Sequence, residues 1–184
     1  LMLVAILAIP FWNWLSNQLG KRNTYLIGIL PWILAYFALF LIQPGQVNWM
    51  LVISAVAGFG IATGYILPEA IFPDVIEWDE LLTRRRQEGI YYGIKNFLRK
   101  ISGALAFFLA LQVLGWSGYP APPSGALTFQ QPASALLAIR LLVGPAGALL
   151  LIGAASSAWC YPLTRERHGR IRKLLNRRKT RIIP

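Results

Sequence analysis

The chain has 184 residues, 56% of them hydrophobic and only 14% charged, with a net charge of +11. Its mean hydropathy is +0.52, and its charges fall in blocks between long apolar runs, the pattern of a polytopic membrane protein. That pattern excludes an ordinary soluble fold. It also makes the excess of cations a report on membrane topology, so no nucleic-acid partner is expected.

Five apolar spans are predicted, at about 1–16, 24–43, 49–76, 91–115 and 136–161, followed by a basic tail over 162–184. A crossing helix needs about 20 residues, so the first span is short, and Leu1 stands where an initiator methionine is expected. The sequence therefore reads as a fragment. "NQLGKRN" (17–23) carries Lys21 and Arg22, "ELLTRRRQEG" (80–89) carries Arg84, Arg85 and Arg86, and the tail is dense in Arg and Lys. "QPGQVN" (43–48) and the Gly/Pro-rich stretch 115–135 carry no charge. The positive-inside rule then places the basic segments in the cytoplasm, with the first span running outside to inside and the C-terminus cytoplasmic.

Six of the seven acidic residues lie between 69 and 88: Glu69, Asp74, Glu77, Asp79, Glu80 and Glu88. Carboxylates near a helix C-terminus are unfavourable unless cations pack close, and Lys21, Arg22, Arg84, Arg85, Arg86, Lys95 and Arg99 are the candidates. Asp79, Glu80 and Glu88 read as solvated surface charges. Asp74 and Glu77, three apart on one helical face, are candidates for a cytoplasmic gate latch. Pro68 and Pro73 bracket Glu69 and are expected to weaken or kink the helix there.

In the fourth span Lys100 falls within roughly 5 Å of the bilayer midplane and Lys95 about 10 Å away. Lys95 is expected to snorkel to the cytoplasmic interface. Lys100 has no such route, and a charge at its depth costs about 2.5 to 3.5 kcal/mol on insertion scales. Gly93, Asn96, Lys100 and Gly103 form one small, polar stripe, opposite Leu98, Ile101, Leu105, Phe108 and Leu109. The stripe makes Lys100 a candidate cavity-facing residue, the alternatives being a structural salt bridge or deep snorkelling.

"GIATG" (60–64), Gly144 with Gly147, and Gly153 with Ser157 read as close helix contacts. Trp12, Trp14, Trp32, Trp49, Trp116 and Trp159 lie near span ends and are expected at the interfaces. Cys160, the one cysteine, reads as a small packed residue, and His168 as a solvated one. Ile171, Leu174 and Leu175 offer the tail an apolar edge for an anionic leaflet. No phosphate-cradling loop, HExxH, GxSxG or metal-ligand cluster is present. Neither an enzyme nor a resident cofactor or metal is expected.

"PFWNWLSNQLGKRNTYLIG" (10–28) resembles the cytoplasmic loop motif of the major facilitator superfamily, with Gly20, Lys21 and Arg22 matching and Asn17 where an aspartate is usual. "LPEAIFPDVIEWDELLTRRRQEGIYYGIKNFLRK" (67–100), with "GWSGY" and "YPLTRERHGRIRKLL", resembles the closing part of the glycoside-pentoside-hexuronide:cation symporters, the group that includes melibiose permease. The resemblance implies an all-α integral membrane protein. Its five transmembrane helices would be the last five of twelve, forming most of the C-terminal six-helix bundle. It further implies alternating access and uptake of a sugar or glycoside across a bacterial inner membrane, driven by Na⁺ or H⁺. The coupling ion would be bound mainly by an N-terminal half outside this sequence. Lys100 matches the family's penultimate-helix lysine near the cation and sugar sites, and Asn96 and Glu69 join it as coupling candidates. The expected partners are the bilayer, a small solute and that N-terminal half. A lysophospholipid or other amphiphile carrier of the same superfamily, or a non-transporting scaffold, is the alternative.

Overall fold

The computed structural model describes residues 1–43, 45–120, 131–161, 169–171 and 174. Its elements are α1 (Met2–Leu19), α2 (Lys21–Leu41), α3 (Val47–Thr83), α4 (Glu88–Trp116), α5 (Ala133–Leu141), a π-helical segment Leu142–Ala146, and α6 (Gly147–Trp159). Five stretches are long and apolar enough to cross a membrane, the last being Ala133–Trp159 as a single unit. Pro145, inside the π-helical segment, lacks the N–H that an α-helical bond there requires.

A single residue joins α1 to α2. Gly20 sits at φ 84°, the left-handed region open to glycine, while its N–H donates to Ser16 O at 3.0 Å and its carbonyl accepts from Thr24 N at 3.1 Å. The turn thus ends one helix and starts the next, and Lys21 and Arg22 open α2 beside it. Helix α3 is 37 residues long, roughly 55 Å at 1.5 Å per residue, so it outreaches a hydrocarbon layer of about 30 Å. It runs unbroken through Pro68 and Pro73 to Arg84, whose φ of 60° caps it. Whatever weakening the two prolines bring, they do not end the helix.

Close packing centres on α2 and α3. A methyl at Gly60 would lie 2.7 Å from the Trp32 backbone N and one at Gly64 2.7 Å from the Trp32 ring, while Gly28 faces the fully buried Thr63. The small pair Gly60/Gly64 thus lets the two helices approach at van der Waals distance. Gly144 and Gly147 seat the last span on Tyr36 and Phe40 of α2 in the same way. Gly153 meets nothing within 4 Å, so the Gly153/Ser157 pair makes no close helix contact among the described residues.

Two of the tryptophans expected at interfaces pack against neighbouring helices, Trp12 buried and Trp32 half-buried. Trp12 is 2% exposed and donates its Nε1–H to Phe59 O at 2.8 Å, tying α1 to α3. Trp32 packs on Gly60 and Gly64. A packed indole fills the space that the glycines open, which outweighs the interfacial preference. Trp14, Trp49, Trp116 and Trp159 are exposed as expected. Cys160, expected to be packed, is exposed at the end of α6. Helix α4 stands at the edge with no residue buried, held at its two ends by side-chain contacts to α3 and to α5.

Candidate functional site

The charged residues gather where α1 turns into α2 and where α3 leaves the apolar layer. Lys21 Nζ donates to Asp74 Oδ2 at 2.6 Å, to Oδ1 at 2.8 Å and to the Ala70 carbonyl at 2.7 Å. The Asp74 side chain is 13% exposed and that of Lys21 36%. Three acceptors around one ammonium, one of them a main-chain carbonyl, fix the lysine against a single turn of α3. Glu77 lies one turn further along the same face.

Arg22, beside Lys21, goes elsewhere. It donates to the Trp159 carbonyl and lies 5.8 Å from the Trp159 ring centroid, so it caps the C-terminus of α6 rather than joining the carboxylates. Arg86 holds Glu88 through Nε at 2.9 Å and reaches Glu80 at 3.6 Å. Glu88 first, and Glu80 behind it, raise the Arg86 pKa. Arg84, Arg85 and Arg99 have no ion-pair partner among the described residues.

A second interhelix pair joins α3 to α4. Lys95 Nζ meets Glu69 Oε2 at 2.5 Å and lies 4.6 Å from the Phe72 ring centroid and 5.3 Å from that of Tyr92. The lysine side chain is 19% exposed and the glutamate 55%. Lys95 therefore does not reach out to interfacial water as expected, because a carboxylate and two ring faces supply a nearer site for the ammonium. The signal was in the spacing: Glu69 and Phe72, like Tyr92 and Lys95, are three apart and share a helical face. Lys100 and Asn96 are exposed, and no acid pairs with Lys100 among the described residues. Methyls added at Gly93 or Gly103 would meet nothing within 4 Å, so the whole small stripe of α4 is open.

Below the Lys21–Asp74 pair, Tyr161 and Ile171 close over the end of α3. Ile171 is 8% exposed and packs with Val75, Trp78, Leu81 and Tyr161. It therefore faces protein rather than lipid, while Leu174 is exposed. Leu175 and His168 lie outside the described residues. The Tyr161 hydroxyl is buried without a hydrogen-bond partner among the described residues, and burial, then the Asp74 charge, push its pKa up to about 12 from 10.0. The folded state thus holds that proton more tightly than the unfolded one. Its contribution to stability is complete below pH 10 and is lost as pH rises toward 12. Tyr161→Phe removes that buried hydroxyl and is expected to leave stability unchanged or raised by up to ~1 kcal/mol, with the thermal midpoint following, while blunting the alkaline loss. Thermal unfolding between pH 8 and 11 reads both, and a lower midpoint at pH 8 would mean that the hydroxyl has a bonding role.

The described residues thus form an all-α bundle with five stretches long and apolar enough to cross a membrane, its carboxylates clasped at one end, the architecture of a multi-pass membrane protein. The chain belongs to the MFS/sugar transport protein family, whose model matches residues 1–165. It is 38% identical over 95% of its length to an uncharacterized symporter of Synechocystis sp., covering 32% of that protein. It is 31% identical over 88% of its length to the glucuronide carrier protein homolog of Escherichia coli, covering 34% of it. It is 27% identical over 97% of its length to sodium-dependent lysophosphatidylcholine symporter 1-B of Danio rerio, again covering 34%. The chain thus spans about a third of the length of the curated relatives it matches.

Proposed function

We propose that the chain is the C-terminal part of a secondary active transporter that carries a sugar or glycoside together with Na⁺ or H⁺ by alternating access. The observation that carries this reading is the open stripe of α4. Lys100 and Asn96 are exposed on a span otherwise built for lipid, and a cation at that depth is retained where it faces a watery path or a partner carboxylate. The N-terminal half would supply that carboxylate, most of the coupling-ion site and the facing wall. Lys100 would exchange between the carboxylate and a solute hydroxyl, giving the two conformations different energies, as coupling requires. Lys21 with Asp74, and Lys95 with Glu69, would hold the basic end closed until the solute is loaded. Glu77, Arg22, Arg84, Arg85, Arg86 and Arg99 would complete the charge network around that gate.

The second reading is a carrier of lysophospholipids or similar amphiphiles. It is favoured by two exposed rings, Phe97 beside the stripe and Phe107 seven residues on from Lys100 along the same face, and by the likeness to a lysophosphatidylcholine symporter. The test is uptake by the whole protein in proteoliposomes under imposed Na⁺ or H⁺ gradients, with a labelled glucuronide and a labelled lysophosphatidylcholine side by side. Gradient-driven accumulation of the glucuronide is expected. Movement of the lysophospholipid alone would replace the first reading by the second, and movement of neither under any gradient would remove both.

A further inference from the structure

At the end of the bundle opposite the basic loops, a groove of about 250 Å³ runs between the α2–α3 turn and α5. Leu39, Ile42, Gln43, Gln46, Met50 and Arg140 line it. Arg140 is about 10 Å along the span that starts at Ala133. It lines the groove beside the α2–α3 turn, within snorkelling reach of the end of the span. A guanidinium is charged at every relevant pH, yet Arg140 has no ion-pair or hydrogen-bond partner among the described residues. Nor does its surrounding sequence offer one. The acids are Glu69, Asp74, Glu77, Asp79, Glu80, Glu88 and Glu166, so α2, the α2–α3 turn and the last span contain none.

The rest of the lining suits an anion with an apolar body. Gln46 Oε1 accepts the Gln43 N–H at 3.3 Å, which leaves the Gln46 amide NH₂ as a donor toward the groove. Leu39, Ile42 and Met50 supply an apolar floor, and a second cavity of about 210 Å³ shares Ile42 and Gln46 and continues along Leu41, Trp49 and Ile53. A forked cation and an amide donor toward the outer end of the span, next to an apolar slot, match a phosphodiester with an acyl chain attached. We infer that this groove seats the phosphodiester headgroup of a bilayer phospholipid, with Arg140 as its counter-ion and an acyl chain along Ile42 and Trp49. The inference does not rest on the proposed solute or coupling ion, because it uses none of the α4 stripe.

The experiment is native mass spectrometry of the whole protein, released from mild detergent after incubation with phosphatidylglycerol, for wild type, Arg140→Gln, Arg140→Lys and Gln46→Ala. Arg140→Gln is expected to lower retained phosphatidylglycerol on the order of tenfold. Arg140→Lys, a point charge without the fork, is expected to fall between it and wild type, and Gln46→Ala to lose a few-fold. Inorganic phosphate or glucuronate, added at the same concentration as the lipid, is expected not to displace it. Thermal midpoints in lipid-free detergent establish that the variants are folded, and Gln46→Ala carries the test if Arg140→Gln is not. Equal retention by wild type and the folded variants overturns the site. Displacement of the lipid by either soluble anion overturns the lipid as its occupant.

Discussion

Lys100→Ala is expected to insert and fold as the wild type does and to lose gradient-driven accumulation of solute. The two halves of that result have different origins. Removing a cation from near the bilayer midplane relieves an insertion cost of about 2.5 to 3.5 kcal/mol, and Lys100 is exposed, with no ion pair among the described residues to break. Retention of the protein therefore follows from the structure of α4 itself. Loss of transport follows from the proposed exchange of the ammonium between a carboxylate and the solute, since a coupling free energy of about 1–3 kcal/mol corresponds to roughly 5- to 150-fold in affinity. Lys95→Ala is the comparison. It frees Glu69, but that carboxylate is 55% exposed and water solvates it, so a milder defect of about a few-fold is expected. Both variants are reconstituted at matched protein amount and assayed under imposed Na⁺ and H⁺ gradients. Accumulation by Lys100→Ala at the wild-type level would reduce the lysine to a structural cation and remove it from the transport path.

The presence of five apolar spans was legible because it depends on composition and length. The close contact of Gly60/Gly64 was legible from small residues four apart, although the same spacing at Gly153/Ser157 makes none among the described residues. The single-residue turn at Gly20 was not, because the expected loop over 17–23 is absorbed into the ends of two helices. Which side of each helix faces protein was not legible. In a bilayer the lipid face and the packed face are both apolar, so amphipathic periodicity fades and a buried Trp12 cannot be told from an interfacial one by position alone. The pairing of Lys95 with Glu69 left a signal only in the three-residue spacing that sets each beside an aromatic ring, which does not by itself name the partner. Snorkelling and ion pairing both satisfy a lysine near a helix end, and only the juxtaposition of Phe72 and Tyr92 decides between them. Arg140 shows the same limit from the other side. One cation within a span carries no partner in the sequence, and the groove it lines exists only where the α2–α3 turn comes up beside α5.

Asp74→Ala is expected to loosen the basic end of the bundle and to impair transport, and exchanging the two charges is expected to recover much of both. Lys21 makes three hydrogen bonds here, two of them to Asp74, and Asp74 is the more buried partner. Losing the carboxylate removes charge-assisted bonds worth about 1.5 to 3 kcal/mol, discounted because the Lys21 ammonium still reaches water and the Ala70 carbonyl. A closed form weakened by about 1.4 kcal/mol is about tenfold less populated against an open one. Amide hydrogen exchange across residues 69–83 should rise by roughly that factor, because α3 loses the tether that ties it to the α1–α2 turn. Lys21→Asp combined with Asp74→Lys restores an attractive pair in the same place, although the Ala70 carbonyl loses its donor, so rescue should be partial. The double-mutant cycle built from Lys21→Ala, Asp74→Ala and their combination isolates the pair from each side chain's separate contacts. Exchange and transport that stay at wild-type values in Asp74→Ala would make the pair a surface contact with no part in gating. Exchange that rises while transport is unchanged would confine it to holding α3 in place.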